Sequence, residues 1–145
     1  MILIDTNVIS EMMKSVPDSL VINWIDQQNI SQLFISTITI AEISYGLHAL
    51  PESKRRDTLE KAFKKVLIEA FANRVLAFDE AAAHLYGEIM GHRKEIGHIL
   101  NVPDGQIAAI ARTHGACLAT RNVRDFKNCG LQLINPFLAA SSNKP

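Results

Sequence analysis

Short apolar runs alternate along this chain with stretches of helical periodicity, and that alternation constrains the fold more than any other feature. Met1 to Ile4 is continuously apolar rather than alternating, as expected of a strand buried on both faces. Leu33 to Ser36, Arg74 to Phe78 and Cys117 to Thr120 read as further strands, with Leu131 to Ile134 a last edge strand. Between them, apolar residues recur every three or four positions. Pro17-Asp18 introduces a helix with Leu20, Val21, Trp24 and Ile25 on one face, and Thr37 to Leu50 forms another that Pro51 stops. Lys54 to Phe71 carries Leu59, Phe63, Val66 and Ala70 as an inner stripe. Asp79 is placed to cap a helix running from Glu80 towards Lys94, and Asp104 begins one that Gly115 ends. The alternation predicts an α/β fold: one domain with a mainly parallel central sheet sandwiched by helices.

A length of 145 residues suits a single domain with a real core, and 48% hydrophobic against 21% charged residues argues against disorder. Fifteen basic residues balance fifteen acidic ones, so any nucleic-acid contact must come from local patches rather than a general positive charge. Cys117 and Cys129 have neither CxxC spacing nor a second pair, which suits a reducing compartment and gives no disulfide framework or structural zinc site. No run is long enough to span a membrane, and Asp5 interrupts the N-terminal apolar run, so a cytoplasmic location is expected.

In parallel α/β sheets ligands bind beyond the carboxyl ends of the strands. Asp5 follows the first strand directly, and Arg121-Asn122 follows the run Cys117 to Thr120. Glu42 lies one to two turns into the helix after the second strand, among Ile38, Ile40 and Ile43. Asp104 heads a helix whose next residues are small or apolar. A carboxylate in an apolar setting needs a cation or must neutralise itself. If Asp5, Glu42 and Asp104 converge, their repulsion calls for the same partner, and a hard divalent cation with oxygen ligands supplies it. Such an ion suits a phosphodiester held for attack by water. Taken singly, Asp5 and Asp104 also read as helix caps, Glu42 as a solvent-facing residue, and Asn122 and Asp125 as turn formers. His48, His84, His92, His98 and His114 show no ligand spacing, and no G-x-S-x-G, P-loop or G-x-G-x-x-G is present.

MILIDTNVISE, TITIAEISYG, PDGQIAAIARTHG and LATRNVRDF, in this order and at this chain length, resemble the PIN-domain family. More narrowly they look like VapC-type toxins of toxin–antitoxin pairs, in the FitB-like branch, which the NPF at Asn135 to Phe137 also matches. The resemblance covers residues 1–137 and leaves 138–145 as a flexible C-terminal tail. It implies an endoribonuclease dependent on Mg²⁺ or Mn²⁺, with Asp5, Glu42 and Asp104 as catalytic acids. Asp5 and Asp104 would be the direct metal ligands, with Thr6 supporting Asp5 through its hydroxyl. Asn122 stands where such members often carry a fourth acid; it brings no charge for a second tightly held ion, and Asp125 is the candidate to compensate. Arg112, Arg121 and Arg124 are the candidate contacts to RNA phosphates, and Lys54, Arg55, Arg56, Lys61, Lys64 and Lys65 form a second basic group on a helix face. The resemblance further implies a homodimer and a small antitoxin partner with a DNA-binding domain. The antitoxin's C-terminal segment would block the acidic pocket, so that DNA is met only through it.

Two rival readings remain. A haloacid-dehalogenase-like phosphatase also places an aspartate after an apolar strand, but it needs a carboxylate two residues on, where this chain has Asn7. A catalytically weakened PIN-like domain acting as a binding partner is kept open by Asn122.

Overall fold

A strand that is apolar throughout needs neighbours at both edges and cover on both faces. In the computed structural model, which describes residues 1–140, Ile2–Ile4 (β1) has both. Thr6–Met12 (α1) and Ser19–Asp26 (α2) follow, then Leu33–Ser36 (β2), Thr37–His48 (α3), Lys54–Phe71 (α4) and Val75–Leu76 (β3). Glu80–Glu95 (α5), Val102–Thr113 (α6), Cys117–Ala119 (β4) and Leu133–Ile134 (β5) complete the order, with 3-10 turns at Ile30–Gln32 and Val123–Phe126. The five strands run in the order β3-β2-β1-β4-β5, and every pair is parallel.

The strand period of two divides the core between the sheet's faces. Leu3 and Leu118 join the cluster built with Ala82, Ile89, Ile107 and Phe126 from the α5–α6 side. Their neighbours Ile4 and Ala119 join the opposite cluster with Val8, Val21, Ile43 and Phe63 from α1 to α4. A Cβ on Gly105 would stand 2.6 Å from Met90 Sδ and 3.0 Å from Tyr86 Cε2. Glycine there lets the first turns of α6 lie close against α5, which fixes the position of Asp104.

Several boundaries differ from expectation, among them that α3 ends at His48 and β4 at Ala119. The run Arg74 to Phe78 contributes only Val75–Leu76 to the sheet. Arg74 instead closes the turn after α4, its N–H donating to Phe71 O at 2.9 Å and its Nε to Leu33 O at 3.0 Å. The last edge strand is confined to Leu133–Ile134, with Leu131 packed against the α5–α6 cluster. Asp104 does not begin its helix: α6 starts at Val102, Asn101 caps it, and Pro103 sits in the first turn. The frayed tail expected beyond residue 137 concerns chiefly residues 141–145, which lie outside the described residues.

Candidate active site at the switch point of the sheet

The strand order reverses at β1, whose neighbours β2 and β4 lead away to opposite edges. At such a switch point the loops diverge beyond the strand ends and leave a crevice. Asp5 stands at the carboxyl end of β1 and Thr120 at that of β4, so both line it.

Asp5 is 3% exposed. As the N-cap of α1 it accepts from Thr6 N–H at 2.8 Å through Oδ1. Its Oδ2 accepts from the Thr120 hydroxyl at 2.7 Å and from Asn7 Nδ2 at 3.3 Å. Thr120 in turn accepts from Asn122 N–H at 3.0 Å. Burial nevertheless pushes the Asp5 carboxyl above its usual range; the hydrogen bonds from Thr120 and Thr6 oppose the shift, and the charge of Glu42 adds to it.

The resemblance implied that Thr6 supports Asp5 through its hydroxyl; instead Thr6 supports it through its backbone N–H. The hydroxyl donates to Glu42 Oε1 at 2.8 Å and lies 3.0 Å from Thr39 Oγ1. Since Thr6 has one proton to give, Thr39 must be the donor in the second contact. Ser36 donates to Thr39 at 3.3 Å and accepts from Thr39 N–H as the cap of α3. The three hydroxyls therefore point their protons one way, ending on Glu42, which is half-buried beside them.

Asp104 is third in α6 and pairs reciprocally with its cap. Asn101 Oδ1 accepts from Asp104 N–H at 2.9 Å, and Asn101 Nδ2 donates to Asp104 Oδ2 at 3.0 Å. Its pKa is pushed up to about 6, first by burial, then by the charge of Asp5; the hydrogen bond from Asn101 opposes the shift, and Glu42 and Asp125 add to it. The acids thus feel one another, and among the described residues none of Asp5, Glu42 and Asp104 has a cation within ion-pair distance.

An all-oxygen donor set of this kind suits a hard divalent cation rather than a soft one. Among the described residues, no group of three or more His, Cys, Asp or Glu side chains is placed to hold an ion by itself. An ion bound here would therefore take one or two carboxylates and keep water in its other positions, which is the habit of Mg²⁺.

The remaining predicted residues divide. Asn122, Arg124 and Asp125 are exposed in and beside the 3-10 turn that follows β4, with Asp125 near enough for its charge to bear on Asp104. Arg121 shares that rim, its N–H donating to Asn7 Oδ1 at 3.1 Å. Arg112 is not brought to the acids. It lies eight residues beyond Asp104 on α6, about 12 Å along the axis, and lines a cavity at the far end of the helix with Gly115, Cys117 and Gly130. All five histidines are exposed. Beside Thr6 and Glu42 opens a cavity of about 270 Å³, whose walls are Met13, Leu47, Leu50 and Leu59.

Sequence reasoning missed Asn7, Ser36, Thr39, Asn101 and Thr120. The one available signal was position: Thr120 ends a buried strand beside β1, and Thr39 sits one helical turn before Glu42. Among the described residues no helix is long and apolar enough to cross a membrane.

The chain is similar to known proteins over most of its length. The family model described as PIN domain matches residues 2–130. A VapC ribonuclease, Y4jK of Sinorhizobium fredii, is 44% identical over 94% of this chain and 98% of its own. Toxin FitB of Neisseria gonorrhoeae is 35% identical over 94% and 99%. The structure of FitAB bound to an IR36 DNA fragment superposes with a TM-score of 0.88 at 34% identity, covering 96% of this chain and 97% of that one.

Proposed function

The chain belongs to the PIN-domain family, and from that premise we propose that it is the toxin of a type II toxin–antitoxin pair, an endoribonuclease that hydrolyses RNA phosphodiester bonds. The observation that carries this reading is the set of three mutually repelling acids at the switch point, with Asp5 and Asp104 titrating high and no protein cation at hand among the described residues. The relatives named as a VapC ribonuclease and as toxin FitB support it.

In this reading Asp5 and Asp104 hold one Mg²⁺ or Mn²⁺. When bound, the ion supplies Lewis acidity, which withdraws charge from a phosphate and acidifies water. The chain's own residues do the positioning. Thr120 and the Thr6 N–H fix the plane of the Asp5 carboxylate. The relay from Ser36 through Thr39 and Thr6 holds Glu42 as an oriented acceptor for a proton. Asn101 fixes Asp104. Asn122 and Asp125 stand at the rim as polar support, and Arg121 and Arg124 take phosphates flanking the one cleaved.

The partner is a small antitoxin carrying a DNA-binding domain, by analogy with the FitAB complex bound to DNA. Its C-terminal segment would lay apolar side chains in the cavity walled by Met13, Leu47, Leu50 and Leu59 and bring an arginine to the acids, where a guanidinium fork matches carboxylates. The toxin then works as a cytoplasmic homodimer and meets operator DNA only through the antitoxin.

The test is direct. Purified full chain is expected to cleave RNA with Mg²⁺ or Mn²⁺ and to stop in EDTA, and Asp5→Asn is expected to stay silent in either. Equal residual cleavage by both proteins would instead favour a domain that only binds.

A further inference from the structure

Arg121 is exposed at the mouth of the acid site, yet its side chain is held. Its guanidinium lies over the Phe137 ring, 4.1 Å from the centroid. Among the described residues that guanidinium has no hydrogen-bond acceptor and no carboxylate within ion-pair distance, so its N–H edge is open.

The arrangement is tied to the site from both ends. Asn7 connects Asp5 to Arg121, donating from Nδ2 to Asp5 at 3.3 Å and accepting at Oδ1 from Arg121 N–H at 3.1 Å. Asn135 connects Arg121 to the platform, donating to Arg121 O at 3.4 Å and accepting from Phe137 N–H at 2.9 Å. Thr120 N–H donates to Ile134 O at 2.9 Å, so β5 delivers the Asn135–Phe137 segment onto the turn that carries Arg121. Phe137 itself is half-buried and packs on the cluster that contains Ile4 and Ala119. A ring seated on the core makes a rigid base for an otherwise mobile side chain. Stacking on one face leaves the planar fork free to meet a phosphate in two places at once.

We infer that Phe137 is a positioning residue for substrate: it holds Arg121 flat at the rim so that the guanidinium edge takes an RNA phosphate next to the one that is cleaved. The inference rests on the nuclease reading above, but its test separates the two.

The affinity of the metal-free full chain for a short labelled single-stranded RNA is measured in EDTA at several salt concentrations. Arg121→Ala is expected to weaken binding roughly tenfold and to lower the salt slope by about one. Phe137→Leu, which keeps the charge and most of the volume, is expected to weaken binding about three- to fivefold with the slope unchanged. The decisive comparison is the double variant, expected to bind no more weakly than Arg121→Ala alone, because Phe137 then has nothing to position. Phe137→Trp is expected to restore wild-type affinity. If Phe137→Leu costs the same with alanine at position 121 as with arginine, or costs nothing in a protein that binds RNA, the inference is overturned. Should Phe137→Leu unfold the domain, Arg121→Lys carries the test: it keeps the charge but stacks poorly, and wild-type affinity in it overturns the inference. A wild type that binds no RNA in EDTA and cleaves none with Mg²⁺ or Mn²⁺ brings down the nuclease reading itself, whereas one that cleaves RNA with the ion yet binds none in EDTA overturns the inference, since Arg121 then holds no phosphate.

Discussion

Asp104→Asn is expected to abolish RNA cleavage and, at the same time, to make the metal-free protein more stable. The substitution is nearly isosteric, and an asparagine carbonyl still accepts from Asn101 Nδ2, so the cap of α6 survives. What changes is charge. A negative charge in the first turn of a helix is favourable by about 0.3–1 kcal/mol, but the pKa of about 6 shows that burial and the neighbouring acids outweigh it. In the unfolded chain this carboxyl titrates near 3.8. Between that pH and about 6 the folded state binds the extra proton, so the contribution to stability falls as pH rises, and the full penalty is present above about 6. Allowing for the half-buried position, the penalty is roughly 1–2 kcal/mol, or about 5 °C in Tm for a domain of this size. Thermal melts in EDTA at neutral pH should show the variant melting higher than wild type, and the gap should close as pH falls towards 4. On the proposed function, in which Asp104 is a metal ligand, cleavage should drop on the order of a thousandfold or more, because such a loss removes several kcal/mol of transition-state stabilisation. A variant that melts lower than wild type without metal would contradict the electrostatic account even if it were inactive.

Arg93→Ala is expected to have the largest effect on stability outside the apolar core. Arg93 is 5% exposed at the end of α5. Its guanidinium donates to Asp125 O at 2.9 Å and also to Lys127 O, while Nε finds no partner among the described residues. It thus pins the turn that carries Asn122, Arg124 and Asp125 against the body of the domain. Removing it relieves the desolvation of a charge with no acid partner among the described residues, which favours the variant. Against this stand two hydrogen bonds to a charged donor, at about 1.5–3 kcal/mol each, and the cavity left by the missing side chain. The losses win, and the net cost is about 2–4 kcal/mol. Urea unfolding should show a lower midpoint with an unchanged slope, and Arg93→Lys should recover part of the loss. A variant as stable as wild type would mean that the turn holds itself.

The strands and most helices were legible because their signals are local. Continuous apolar runs marked β1, β2 and β4; the acid at Asp79 and the proline at Pro51 marked where helices begin and end. Glu42 and Asp5 stood out because a carboxylate in an apolar neighbourhood demands an explanation. What was not legible depends on contacts between distant segments. Thr120 looks like any strand residue until β4 is laid beside β1, a neighbour 115 residues away in the chain. Thr6 reads as a partner of the acid beside it, yet its hydroxyl turns to Glu42 across 36 residues. Asn101 was overlooked because Pro103-Asp104 looks like a helix start, and a proline in the first turn moves the cap upstream. Arg112 was grouped with Arg121 and Arg124 as a candidate phosphate contact, but it stands at the far end of the helix that carries Asp104. Arg93 gives no warning in sequence, since a buried arginine on a charged helix looks like its exposed neighbours.

The proposed function requires the acids at the switch point to take up a cation, and calorimetric titration of Mn²⁺ into the full chain at neutral pH tests this most directly. Wild type is expected to take up the ion at a single site, with the heat vanishing in Asp5→Asn and Asp104→Asn and fading in wild type as pH drops below about 6. No uptake by the wild type, or uptake unchanged when both aspartates are replaced, would contradict it.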